Sequence, residues 1–244
     1  MGSNKKSKHP YLVEIIVIIS AFVLTLVFSV VSQMLGFSDN EFSIAVGRIV
    51  TGLILLVIFS RCFRLRNQFT GLLIAIPALL FPAWNIANHY FTNGEYAAPS
   101  LEILILGLAP AIFEEVLFRG IFITKLKESG KSNAAAVIIS AVVFGLIHLT
   151  NAVGQDLAQV VLQVGYAFVV GLVFGAIYAR SGDLLSVIII HAAIDITNRV
   201  YMANSGATTQ AVIMFVALLV IEAAYGFFLI RKSPKAQKAA AAEE

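Results

Sequence analysis

The chain of 244 residues is short of charge and nearly empty of cysteine. Asp, Glu, Lys and Arg make up 13% of it against 59% hydrophobic residues, a balance that excludes a water-soluble globule. Its 17 basic and 14 acidic residues leave a net charge of +3. The basic ones sit in short clusters between apolar runs rather than on one face, so no nucleic-acid partner is expected. Cys62 is the only cysteine. No intramolecular disulfide or cysteine-based metal cluster can form, and stability has to come from helix packing. The sequence also lacks an internal repeat and any sign of a second domain.

What it has instead is apolar runs. Crossing a hydrocarbon core of about 30 Å takes roughly 20 apolar residues, and eight runs of about that length stand between charges, Pro, Gly or Asn. They cover Tyr11–Val31, Ser43–Ser60, Phe69–Ile86, Leu101–Leu126, Ala134–Thr150, Leu157–Ala179, Leu184–Val200 and Gln210–Ile230. Lys5, Lys6 and Lys8 precede the first as in a signal peptide, but that run is too long and no small-x-small cleavage site follows, so it reads as a retained anchor. Assigning loops alternately puts Lys5, Lys6, Lys8, Arg61, Arg64, Arg66, Lys125, Lys127, Lys131, Arg180, Arg231, Lys232, Lys235 and Lys238 on one side and only Arg199 on the other. Basic residues accumulate in cytoplasmic loops. The expectation is therefore an all-α polytopic membrane helix bundle of about eight transmembrane helices, multi-pass in the cell membrane, with both termini cytoplasmic. It forms one domain over 1–244, with a low-complexity, flexible cytoplasmic tail at 231–244.

Charges stranded in a bilayer cost at least about 2.5 kcal/mol each on insertion scales, so those that persist are paired or functional. Glu14 and Glu102 are near enough to span ends to reach headgroups, and Arg48 is long enough to snorkel or meet a lipid phosphate. His9 and His89 fall in polar segments and are read as solvated. Glu222, deep in the last run, is read as a packing hydrogen bond. Three stretches remain. "EEVLFRG" puts Arg119 four residues after Glu115, on one helical face, where the two form an ion pair; Glu114 is rotated by about 100° and lacks that partner, which leaves it available as a general base. "FGLIH" aligns Phe144 with His148, and "HAAID" aligns His191 with Asp195. Counted from the turn near Ser129–Ser132 at 1.5 Å per residue, Glu114 and His148 are both about 21 to 23 Å away, and are therefore level.

E-E-x-x-x-R, then F-x-x-x-H, then H-x-x-x-D, in order and at membrane depth, resemble the CAAX-protease and bacteriocin-processing family, which includes the type II CAAX prenyl endopeptidases and the Abi-type membrane proteins of bacteria. The resemblance covers about 101–200, the expected catalytic core. It implies an intramembrane endopeptidase acting on a membrane-associated protein or peptide, near its C-terminus. It also implies that Glu114 and His148 activate a water, that Glu115 and Arg119 support them, and that His191 and Asp195 steady the tetrahedral oxyanion. Prenyl-endopeptidase members typically carry Asn where this chain has Asp195, and an ionised Asp cannot donate to an oxyanion. Either Asp195 is protonated, or it orients His191, or another group takes the role; Asn198, one turn on, is a candidate.

Glu114, His148 and His191 are also a conceivable ligand set for Zn²⁺ or another divalent metal. The zincin H-E-x-x-H is absent, and Glu114 acting directly as base requires no cofactor; that mechanism is favoured. The G-x-S-G of rhomboid-type serine proteases is missing, and "RSGD" does not supply the G-x-G-D of presenilin-like aspartyl proteases. Two other classes compete: a non-hydrolytic scaffold or bacteriocin self-immunity protein that keeps the motifs for packing, and a proton-coupled transporter, which would show repeated halves and broken helices.

Overall fold

A computed structural model describes residues 12–36, 40–62, 69–153, 155–202 and 209–232; among them the chain is helical, with no strand. The long apolar runs form α1 (Leu12–Met34), α2 (Asn40–Ile58), α7 (Asn133–Ile147), α8 (Leu157–Ser181), α9 (Leu184–Thr197) and α10 (Thr209–Lys232). The third run is divided. α3 (Thr70–Ala75) tightens into a 3₁₀ turn at Ile76–Leu79 before α4 (Leu80–Asn93), and Pro77, which has no N–H to give the helix ladder, stands in that turn. The fourth run is one unbroken helical rod, α5 (Leu101–Glu115), a π-helical stretch Val116–Ile123, and α6 (Thr124–Glu128).

Helix starts follow from short polar residues. Ser100 caps α5, Ser132 caps α7, Asp156 caps α8 and Asp183 caps α9, each accepting a backbone N–H of the first turn. Gly94 and Gly182 end α4 and α8 in the left-handed conformation. Asp183 does more than cap. Fully buried, it also accepts from Gly71 N at 2.8 Å, tying the start of α3 to the start of α9.

Seven helical segments are long and apolar enough to cross a membrane, among the described residues: Ile16–Met34, Glu41–Ile58, Gly71–Asn93, Asn133–Ala152, Leu157–Ser181, Leu184–Tyr201 and Thr209–Arg231. The protein is thus an all-α, multi-pass membrane protein. The eighth expected span, Leu101–Leu126, is the rod of α5 and α6, which is set apart by the charges Glu114, Glu115 and Arg119 rather than by its length. Lys5, Lys6, Lys8, His9, Arg64, Arg66, Lys235, Lys238 and the tail beyond Lys232 lie outside the described residues.

α5 occupies the middle, with α2 on one side and α9 on another; α8 packs between α7 and α10. Close approach rests on small residues. A Cβ on Gly107 would come within 2.5 Å of Ile196 Cγ1, and one on Gly171 within 3.2 Å of Ala141 Cα. Without a hydrophobic force between helices in lipid, such backbone proximity is what packing supplies. The main cluster of buried side chains gathers the π-helical stretch, α7, α8 and α9 around Phe113, Phe118, Phe144 and Phe174. The polar residues of the three motifs sit against it.

Candidate active site

Glu115 closes α5, and Arg119 lies in the first turn of the π-helical stretch; both side chains are fully buried. The expected ion pair forms, with Arg119 Nη1 donating to Glu115 Oε1 at 2.9 Å. Nη2 donates to the Gly171 carbonyl at 3.4 Å, and the guanidinium lies 4.4 Å from the Phe144 ring centre and 5.6 Å from that of Phe174. The aromatic faces thus take over part of the solvation the cation loses. Arg119 Nε and Glu115 Oε2 stay without hydrogen-bond partners.

The same Glu115 oxygen holds the third motif. His191 Nδ1 is 2.7 Å from Glu115 Oε1. That oxygen already accepts from Arg119, so toward the ring it is again the acceptor and Nδ1 carries the hydrogen. The other ring nitrogen faces two more carboxylates, with Nε2 4.0 Å from Glu114 Oε2 and 3.6 Å from Asp195 Oδ2. Glu114 and His191 are both nearly buried, whereas the Asp195 side chain keeps 26% of its surface. The cluster therefore has one open side, at Asp195.

His148 is placed differently from the uniform helix the sequence suggests. α7 stops at Ile147 and His148 begins a 3₁₀ turn, His148–Val153. Its Nδ1 is 2.7 Å from the Phe144 carbonyl. A carbonyl only accepts, so Nδ1 is the donor, and Nε2 is the ring nitrogen not engaged by Phe144. No hydrogen bond or ion pair joins His148 to Glu114 among the described residues. His148 meets the cluster through Phe144, whose ring centre is 5.1 Å from that of His148 and 6.4 Å from that of His191. Phe144 is the partition against which both histidines and Arg119 are set.

Asn198 opens a second π-helical stretch, Asn198–Met202. Buried Asn85 of α4 reaches it, donating from Nδ2 to Asn198 Oδ1 at 2.6 Å and to Thr197 Oγ1 at 3.2 Å. Arg48 of α2 and Arg199 lie within electrostatic reach of Asp195, and Arg199 pairs with Glu41 at 2.6 Å. Sequence reading misses Asn85 altogether. An i, i+4 search finds pairs within a helix, and these contacts run between helices. Glu102 is exposed, as expected. Glu222 is buried with neither carboxyl oxygen hydrogen-bonded, and so is not the packing hydrogen bond foreseen.

Residues 96–197 match the family model described as Type II CAAX prenyl endopeptidase Rce1-like, which is the resemblance carried by the three motifs. This central segment is similar to that family. The Rce1-like segment begins just before α5 and ends with α9, so it contains Glu114, Glu115, Arg119, Phe144, His148, His191 and Asp195. Arg48, Asn85, Asn198 and Glu222 fall outside it. Nothing among curated proteins and nothing among solved structures matches the chain.

The fit to a metal can be tested on the donors themselves. Among the described residues no three of His, Cys, Asp and Glu are grouped so as to hold a metal ion. Glu115 Oε1 is already shared by Arg119 and His191. Among the described residues the arrangement does not form a ligand cage.

Proposed function

We propose that the protein is an intramembrane endopeptidase that hydrolyses a peptide bond of a membrane-associated protein or peptide, near its C-terminus. The observation that carries this reading is the Glu114, His191, Glu115 and Arg119 cluster, at 4.0, 2.7 and 2.9 Å in turn, inside a segment similar to an endopeptidase family.

The chemistry divides between the two glutamates because only one is committed. Glu115 is neutralised by Arg119 and fixes the His191 ring. Glu114 has no such tie, so its carboxylate takes a proton from a water at the open side of the cluster, and His148 Nε2 accepts the water's second hydrogen bond. The water oxygen attacks the scissile carbonyl. Glu114 then returns the proton to the leaving amine nitrogen, which restores the carboxylate base and leaves a carboxylic acid and an amine; the acid's proton passes to the amine, so the products are a carboxylate and an ammonium. His191, with both ring nitrogens toward acids, donates from Nε2 to the charge developing on the carbonyl oxygen. Asp195, with Oδ2 3.6 Å from Nε2, supports that side of the ring electrostatically.

The test is cleavage of a peptide library by the full chain purified in detergent. Parent protein should cleave, while Glu114→Ala and His148→Ala should lose at least about 100-fold in kcat with an unchanged thermal unfolding profile. Both variants cleaving like the parent sinks the reading. A chelator arm separates mechanisms: activity that survives prolonged chelation agrees with the metal-free route, and activity lost to chelation and restored by Zn²⁺ overturns it.

A further inference from the structure

Asp195 leaves the site short of one neutral donor. An ionised carboxylate can accept from His191 but has no hydrogen to offer an oxyanion. The structure contains a chain of hydrogen bonds, running through residues on both sides of the family segment's end, that supplies the missing group.

The chain begins at Thr197. Its hydroxyl lies 2.7 Å from the Ala193 carbonyl and 3.1 Å from that of Ile194. Carbonyls only accept, so the hydroxyl hydrogen is spent there, and toward any third partner Thr197 Oγ1 is an acceptor. The Asn85 atom 3.2 Å from it is therefore the amide nitrogen. That fixes the flip of Asn85 independently of its other contact. The same nitrogen meets Asn198 at 2.6 Å, so the Asn198 atom there is the carbonyl oxygen. With Oδ1 held by Asn85, the Asn198 NH₂ has to point the other way. The Tyr166 hydroxyl lies within electrostatic reach of both Asn198 and Asp195. The amide has two N–H groups and the Tyr166 hydroxyl can take at most one of them, so one is left for a ligand.

Placement agrees with this. His191, Asp195 and Asn198 recur at i, i+4 and i+7, which keeps them on one helical face. Side chains on a helix lean toward its N-terminus, here from Asn198 toward Asp195 and His191. Asn198 is half-buried, like Asp195. Asn85 itself is 6% exposed, so it works from inside the bundle.

We propose that Asn198, its amide locked by Asn85, is the neutral hydrogen-bond donor to the oxyanion in this site, taking the part that Asp195 cannot. This rests on the peptidase reading above. Asn198 is then a catalytic residue and Asn85 a positioning residue acting through it.

The experiment measures kcat and KM of the full chain in detergent on the best-cleaved library peptide. Asn198→Asp should lower kcat about 100-fold, the usual scale for one oxyanion donor, with KM within about twofold. Asn85→Ala should lower kcat about tenfold, and should lower it no further once Asn198→Asp is present. Asp195→Asn, added to Asn198→Asp, should restore kcat at least about tenfold, which a folding defect cannot mimic. A kcat for Asn198→Asp within about twofold of parent, while Glu114→Ala is inactive, overturns this proposal and leaves the peptidase reading standing. A double variant no faster than Asn198→Asp alone also overturns it. A parent that cleaves nothing, or a Glu114→Ala that cleaves like the parent, overturns the peptidase reading and this proposal with it.

Discussion

Arg119 and Glu115 show what a single charge has to arrange in order to sit fully buried in an apolar bundle. Arg119 has one carboxylate, one carbonyl and two aromatic faces around it. Removing one member of such a buried pair leaves the other uncompensated and costs about 3 to 5 kcal/mol, whereas replacing both by apolar residues is often neutral. Glu115→Leu should therefore lower the unfolding temperature sharply, and Glu115→Leu with Arg119→Met should recover most of the loss. The recovered double variant should still be inactive, because His191 Nδ1 has lost its acceptor. Thermal unfolding and peptide cleavage on the same samples check both halves, and a double variant that cleaves like the parent contradicts the role given to Glu115. The Glu115 and Arg119 pair is legible in the sequence because it is local, four residues apart on one face. The contact of His191 with Glu115 spans 76 positions, and that of Asn85 with Asn198 spans 113. No periodicity announces either, since they depend on which helices become neighbours.

At the scale of elements, the site is held by how closely α9 lies on α5. Gly107 makes that possible: an added Cβ would be 2.5 Å from Ile196 Cγ1 and 3.0 Å from Ile196 N, and Ile196 adjoins both Asp195 and Thr197. Gly107→Ala should destabilise by about 1 to 3 kcal/mol through overpacking and should reduce kcat, because α9 has to move with His191 on it. Adding Ile196→Ala removes the nearer clash but not the backbone one, so it should recover part of the stability. Differential scanning of the three proteins measures this, and a Gly107→Ala protein as stable and as active as the parent refutes it. α8 uses the same device toward α7, with Gly171 against Ala141 and Gly175 against Val137. The apolar runs are readable from the sequence but their bounds only roughly: the third is expected to end at Ile86, and α4 runs on to Asn93. The π-helical stretches are not readable, because a widened turn at Val116–Ile123 satisfies packing around Arg119 and has no residue signature of its own.

For the whole molecule, the decisive question is whether the rod of α5 and α6 crosses the membrane. Seven helical segments qualify by length and apolarity, and an odd number would place the two termini on opposite faces. The rod has 28 residues, from Leu101 to Glu128, which at 1.5 Å each is about 40 Å and exceeds the hydrocarbon core. Its interior charges cluster against α8 and α9, where Glu115 and Arg119 are compensated, rather than facing lipid. Compensated charge removes the main energetic objection to spanning, and an eighth span restores the lopsided distribution of Lys and Arg in which both termini are cytoplasmic. The scarcity of cysteine makes this simple to test. Cys62→Ser gives a chain without thiols, into which single cysteines can be placed at Glu95, before the rod, and at Lys131, after it. A membrane-impermeant thiol reagent added to sealed vesicles should label one of these and not the other, and should label a cysteine at Lys131 from the same side as one at Ala240. Labelling of Glu95 and Lys131 positions from the same side would make the rod a re-entrant element and the bundle one of seven spans. The Glu114 carboxylate would then lie in a helix that enters and leaves by one face, and its water would have to come from that face.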